Sequence, residues 1–476
     1  MKKFLIFITV FSIMTLNSAF SYKYEVADKF LHQDFWLKNT KNIQKVILSP
    51  EEITRYNQEN IKRIPQLVNL QEFFNTVQEA DVADLIAKYE VSMDPRYLGE
   101  ELATDDYYNR LLLNANIKKI NKGNFAYGFV IRKANIRSFP SNNSLYETPN
   151  DIEFDLAQET AVYSGTPIVI LHKSKDGKFY FIRTSNYTGW VDSSAVIYAD
   201  QKSWEDYINT PDFIVITANK LMLSFNPYDT NTSGLIFYMG QKLPLVKNKP
   251  AFVDNQSTVG NHVVKIPVED SKGKLEFKQV LIPFNADISV GYLSYTKENI
   301  IKQAFKMQGN RYDWGGHFSG RDCSSFIQDI FNTFGINIPR NTSEMVNMAG
   351  SVIVAPKDTG FTFPSKAELN STIGRIMILE NMEEDNRNRV LKNAELGTLL
   401  LMKGHVFMYL GFQEGQHFVI SDIASVGGDN EIINDKNEKA LERIAVNQVS
   451  VNTLDTVKPT GVSFLNSLTH GIFIGR

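Results

Sequence analysis

The order of apolar and polar positions divides the chain into segments of different texture. Residues 4–16 form a mainly apolar run, and residues 22–125 are polar, rich in charged and amide side chains. Within that polar stretch, Ser49-Pro50-Glu51-Glu52 predicts a helix start, with proline in the first turn and acids behind it. A second helix is expected from Asp105 to Lys119. Beyond Gly123 the pattern turns to short alternating runs, which predict strands through residues 126–200. Asp176-Gly177 between two such runs is a hairpin signal. Residues 212–296 repeat this style without repeating the sequence, so two small β-barrels in tandem are expected. From residue 297 the pattern changes again. Lys297 to Met307 predicts a helix, and a glycine-rich turn follows at 309–316. Apolar residues at 326, 327, 330, 331 and 334 then share one helical face, with Gly335 as the stop. Strands are expected at 398–402, 405–410, 417–423 and 471–474. The whole reads as an α+β protein.

The 476 residues suffice for about three domains, with 43% hydrophobic and 22% charged residues and a formal net charge of −3. No run of five or more basic residues occurs, so a nucleic-acid partner is not expected. Lys2 and Lys3 precede the apolar run, and Asn17-Ser18-Ala19-Phe20-Ser21 follows it with small residues at the −3 and −1 positions, a signal-peptide pattern with expected cleavage after Ser21. This run of thirteen residues falls short of the roughly 20 that cross a bilayer. No Cys stands at the cleavage point to take a lipid anchor, and no second long apolar run follows. The expectation is an exported protein of the periplasm or cell envelope, with no membrane anchor after signal cleavage.

Cys323 is the only cysteine, so no internal disulfide can form and a reactive thiol becomes a candidate. It stands at the predicted start of its helix, where free N–H groups and the helix dipole favour a thiolate and lower the thiol pKa. A thiolate nucleophile needs an imidazole as base. His405 follows Lys403-Gly404 and opens an apolar alternation, a place from which a side chain can reach across a cleft. His317, close to Cys323 in sequence, is expected on a loop surface. The histidines show no metal-ligand spacing, and neither a zinc helix nor a phosphate loop is present. No metal or organic cofactor is expected.

The runs Tyr312-Asp313-Trp314-Gly315-Gly316, Arg321 to Phe326, Gly335 to Arg340, and Gly404-His405-Val406 with Tyr409-Leu410-Gly411 resemble the NlpC-type cell-wall peptidases, which are papain-like. Ala134 to Pro140, Tyr163 to Pro167 and Gly189-Trp190-Val191 resemble the bacterial Src-homology-like barrel that precedes such domains. The domain order that follows is a signal peptide (1–21), a helical cap or linker (22–125), two barrels (126–200 and 212–296) and a papain-like domain (297–476). The resemblance implies cleavage of the bond between γ-D-glutamate and a diamino acid in peptidoglycan or muropeptides, through a cysteine thioester. It implies Cys323 as nucleophile, His405 as base and Tyr312 as an oxyanion donor. Asp322 and Ser324 then hold the N-terminal end of the stem peptide. Ser325 stands where the family often has glycine. An amidase or acyltransferase on the same scaffold, and a degenerate domain that only binds cell wall, are the competing readings.

The third catalytic position stays open. Alignment on the apolar residues before it selects Ser421, whereas Asp422 is the better partner for an imidazolium. One residue along a strand changes the face, so only one of the two can meet His405. His417 is a familiar residue type at the wrong place.

Overall fold

The computed structural model describes residues 26–89, 91–357, 360–361, 372–433 and 437–476; the expected signal segment lies outside them. Helices α1 (Gln33–Asn39) and α2 (Pro50–Arg63) come first. The α2 start is a capping box: Ser49 Oγ accepts the Glu52 N–H at 3.3 Å while the Glu52 carboxylate accepts the Ser49 N–H at 2.9 Å. Helices α3 (Leu70–Thr76), α4 (Glu79–Ala87) and α5 (Asp105–Ala115) follow. The stretch expected as one cap divides between two cores. Trp36, Tyr56 and Ile64 pack with Phe326, Val406 and Ile420 of the C-terminal unit. Val82, Ile86 and Ala115 pack with Phe129, Phe181 and Trp190 of the first β-unit.

That first unit is a seven-stranded sheet. Its strands are β1 (Ala126–Val130), β2 (Ala134–Arg137), β3 (Gln158–Val162), β4 (Pro167–Lys173), β5 (Phe179–Arg183), β6 (Thr188–Asp192) and β7 (Val196–Ala199). Their order in space is β3-β2-β6-β5-β4-β1-β7. The Asp176-Gly177 signal is the β4–β5 turn, with Gly177 at φ +76°, a backbone region costly to residues with a Cβ.

Helix α6 (Gln201–Ile208) leads to the second β-unit. Where a second barrel is expected, small sheets surround a shared core of Ile214, Phe237, Leu243, Val264 and Ile282. The strands are β8 (Phe213–Ile216), β9 (Lys220–Met222), β10 (Ile236–Tyr238), β11 (Lys242–Pro244), β12 (Asn261–Glu269), β13 (Leu275–Pro283) and β14 (Ile288–Val290). β8 lies between β11 and β14, while β9–β10 and β12–β13 are hairpins.

The C-terminal unit begins with α7 (Lys297–Phe305) and α8 (Cys323–Asn332). Its sheet comprises β15 (Ser351–Val354), β16 (Arg375–Ile378), β17 (Leu399–Met402), β18 (His405–Gln413), β19 (Gln416–Ile433), β20 (Lys439–Thr453) and β21 (Leu468–Phe473). The order is β15-β16-β21-β17-β18-β19-β20, with β15–β16 parallel and the other pairs antiparallel. Alternation decides the two faces. Val406, Met408 and Ile420 pack under α8 against Phe326, Ile327 and Ile330. Phe407, Tyr409, Val419 and Ile423 pack on the other side with Leu391, Phe464 and Leu465. The α+β architecture places the start of α8 beside the start of β18.

Candidate active site

Cys323 is the first residue of α8, and Asp322 caps it. The Asp322 carboxylate accepts the Ser325 N–H at 2.9 Å, and Ser325 Oγ accepts the Asp322 N–H at 2.9 Å. The serine that departs from the family pattern therefore completes the helix cap. The thiol is buried and accepts a hydrogen bond from the Val406 N–H, one residue beyond His405. That bond brings the nucleophile candidate to the start of β18.

The expectation that the helix terminus lowers the thiol pKa is overturned. Burial pushes Cys323 up to about 12, and the Asp322 charge adds to the rise. The Val406 N–H and Arg340 oppose it without prevailing. The helix dipole is weak against desolvation, and the carboxylate of the cap repels a neighbouring thiolate.

His405 opens β18 after the Lys403-Gly404 turn, where Gly404 has φ +77°. Its ring is buried, with Nε2 3.1 Å from Ser421 Oγ. Burial holds the imidazole down to about 4, with the Asp322 charge opposing. As folded, the site rests as a neutral thiol and a neutral imidazole.

Ser421 and Asp422 are both 0% exposed, yet they meet different groups. Ser421 meets His405. Asp422 continues the alternation of Phe418 and Ile420, on the α8 side, and neither of its carboxyl oxygens has a hydrogen-bond partner. Burial, then the Asp322 charge, pushes it up to about 8, with Arg321 opposing and Asp313 adding. The residue favoured by alignment is thus on the imidazole, and the one favoured by chemistry is on the other face.

Tyr312 lies half-buried next to these groups. Its hydroxyl is held far above its ordinary value by burial and then by Cys323, Asp322 and Asp422. Its N–H donates to Asn447 O at 2.9 Å, which ties the glycine-rich turn to the β20 edge. Asp322 is ionised although burial works against it, because Arg340 lies 2.6 Å away and Ser325 also donates to it. Ser324 Oγ donates to Asp322 Oδ1 at 3.2 Å and accepts from Arg340. Arg340 Nε also donates to Thr160 Oγ1 on β3 at 2.7 Å. In the sequence Arg340 marks only the end of the run leaving α8. Its signal was a cation directly after Ile338-Pro339, a place where burial demands a partner.

The remaining histidines stand elsewhere. His317 docks on the first β-unit, with Nδ1 3.4 Å from both the Asn135 amide and Gln158 Oε1. His417 Nδ1 is 2.8 Å from the Tyr409 hydroxyl, on the face away from α8. Among the described residues no cluster of three or more His, Cys, Asp or Glu could hold a metal.

Residues 309–457 match the model of the NlpC/P60 family, and residues 144–192 match the SH3 domain (SH3b1 type). The C-terminal unit is an NlpC/P60 domain. The SH3b1-type match falls within the first β-unit, and the second β-unit lies outside both matched stretches. No curated protein matches the chain. Among solved structures, an NlpC/P60 endopeptidase from Photobacterium damselae subsp. piscicida is 20% identical, with a TM-score of 0.66. That match covers 92% of this chain and 95% of the other, so the likeness in fold runs through the N-terminal helices and both β-units as well as the NlpC/P60 domain. An NlpC/P60 family protein from Bacillus cereus ATCC 10987 is 16% identical over 74% of this chain and 100% of its own, with a TM-score of 0.45. NlpC2 from Trichomonas vaginalis is 11% identical over 70% of this chain and 97% of its own, with a TM-score of 0.23. No described helix is long and apolar enough to cross a membrane.

Proposed function

We propose that the protein is an exported peptidoglycan hydrolase, a cysteine peptidase that cleaves the γ-D-glutamyl–diamino acid bond of stem peptides. The observation that carries the reading is the junction of α8 and β18. The Cys323 thiol takes the N–H of the residue after His405, and the His405 ring is held by Ser421. The NlpC/P60 match supports the choice of wall peptide as substrate.

In this reading the thiol proton passes to His405 as sulfur attacks the γ-glutamyl carbonyl, because a neutral resting pair ionises only as the bond forms. Ser421 keeps the imidazole aimed. The Tyr312 hydroxyl, which strongly resists ionisation, remains a donor and faces the developing oxyanion. His405 returns its proton to the leaving amine, and water then cleaves the thioester. Asp322, Ser324 and Arg340 hold the N-terminal end of the peptide. No metal or organic cofactor enters the chemistry.

The test is mass spectrometry of L-Ala-γ-D-Glu-meso-diaminopimelate incubated with the wild type and with Cys323→Ala. Release of L-Ala-γ-D-Glu by the wild type alone is expected. Intact peptide with both proteins, also when larger muropeptides are offered, overturns the assignment of the bond. A different product, such as a transferred acyl group, points to an amidase or acyltransferase on the same scaffold.

A further inference from the structure

The chemistry above leaves Asp422 unused. Asp422 is 0% exposed, and both of its carboxyl oxygens lack a partner. No cation is hydrogen-bonded to it, and Arg321 is the one cation whose charge acts on it. Arg321 is committed elsewhere, through Nε to Asp329 at 2.6 Å and through its other nitrogens to Asn219 Oδ1 at 2.6 Å and Asn219 O at 3.0 Å. Arg340 is shared among Asp322, Ser324 and Thr160. The other charged groups that act on Asp422 are the carboxylates of Asp322, at the cap of α8, and Asp313, in the glycine-rich turn. From β20 its register partner is Val449, which offers no charge. A buried carboxylate with no hydrogen-bonded cation, beside other carboxylates, is costly, so this group is held as the neutral acid.

Its neighbours give that state a consequence. Cys323 and Tyr312 both feel the charge of Asp422, and for both that charge opposes ionisation. β18 supplies one compensating donor, the Val406 N–H, and the thiol already uses it. We propose that Asp422 is a positioning residue for charge at the thiol: its carboxyl must carry a proton for Cys323 to ionise readily, so Asp422 sets the upper pH limit of the reaction. The inference rests on Cys323 being the nucleophile. It gives a role to the residue that follows Ser421 without placing it on His405. Loss of the Asp422 proton, in the region of pH 8, puts a second carboxylate beside the thiol in addition to Asp322.

The test uses the full chain and no substrate. The rate of Cys323 alkylation by iodoacetamide is followed by intact mass from pH 6 to 10. The wild-type rate is expected to climb with pH and then flatten near pH 8 as Asp422 ionises. Asp422→Asn, isosteric and uncharged, is expected to match the wild type at pH 6.5. At pH 9 it should react roughly tenfold faster, the effect of about one pKa unit on the thiol. An unbroken wild-type slope through pH 8, or an Asn variant with the wild-type profile, overturns the proposal. The wild-type profile alone suffices for the first of these, so a variant that fails to fold does not remove the test, and Asp422→Ser is the second substitution. Alkylation reads the coupling of Asp422 to the thiol even if the peptide is not the substrate. Hydrolysis by the wild type and Cys323→Ala tests the nucleophile separately.

Discussion

Ser421 holds the buried imidazole of His405 through one hydrogen bond between uncharged groups, and the size of that bond limits what its loss can do. Replacing Ser421 with alanine removes about 1–1.5 kcal/mol of orientation, or roughly tenfold in rate. We expect kcat to fall by that factor with KM unchanged in hydrolysis assays, and Ser421→Asn to recover part of it. A much larger loss would mean that the ring has no other support. Asp422 gives a prediction about stability. Its folded pKa, near 8, lies above its ordinary value of 3.8. Between these values the folded state binds more protons than the unfolded chain, and stability falls as pH rises. Asp422→Asn should therefore stabilise the NlpC/P60 domain at pH 7 by roughly 1–3 kcal/mol. The gain should shrink as pH falls towards 3.8 and vanish below it, where the acid is protonated in both states. Thermal melts of both proteins across that range check the sign. His405 works in the opposite direction: its folded pKa is depressed to about 4, so its contribution is present above the unfolded value near 6.5 and is lost on acidification.

At the scale of elements, α8 shows how local signals and packing agree. Phe326, Ile327, Ile330, Phe331 and Phe334 are all buried to within 1%, on the face their spacing predicts. Gly335 ends the helix region at φ +74°, and a Cβ there would lie 2.8 Å from the Tyr292 ring. Gly335→Ala should cost about 1–2 kcal/mol from the left-handed backbone alone, with the clash added. A melting midpoint equal to the wild type would show that Tyr292 gives way and that the backbone relaxes. Capping and periodicity likewise made α2, α7, β18 and the Asp176-Gly177 turn legible, because each depends on neighbours in sequence. The strands β15 and β16 were not legible, since four residues in an irregular stretch carry no clear period. The full length of β19 and β20 was also missed. Beyond Ile423 the β19 strand is partly exposed and polar, and its extension comes from pairing with β20.

At the scale of the whole molecule, the N-terminal helices are structural parts of the units they precede. Trp36 is 1% exposed and packs on Phe418 of β19 at 5.6 Å between ring centroids. Trp36→Ala should cost about 3–5 kcal/mol and lower the melting midpoint of the NlpC/P60 domain, although the residue lies far from that domain in sequence. The first β-unit reaches the site directly. Thr160 accepts from Arg340, and Gln158 donates to Gly315 O at 2.9 Å. Thr160→Val removes the acceptor of a buried guanidinium that also holds Asp322. We expect a several-fold rise in KM for stem peptide with a smaller change in kcat, measured by steady-state hydrolysis. An unchanged KM would mean that Asp322 and Ser324 fix Arg340 without help from the SH3b1-type unit.

The α+β class, the helix that begins at Cys323, the strand that begins at His405 and the short list of polar residues around them are all readable from the order of residues alone. Those features rest on caps, turns and periodicity, which act over a few residues. Which of Ser421 and Asp422 meets the His405 ring depends on the register of β19 against β18 and the face of the sheet each side chain takes, and it is Ser421 that lies within hydrogen-bond distance of His405. The tertiary structure also reversed the expected thiol pKa, since burial is a property of the packed molecule and outweighs the local dipole of the helix. The role of Arg340, and the division of the N-terminal helices between two cores, likewise arise from contacts that no local pattern encodes, such as Arg340 with Thr160 and Trp36 with Phe418.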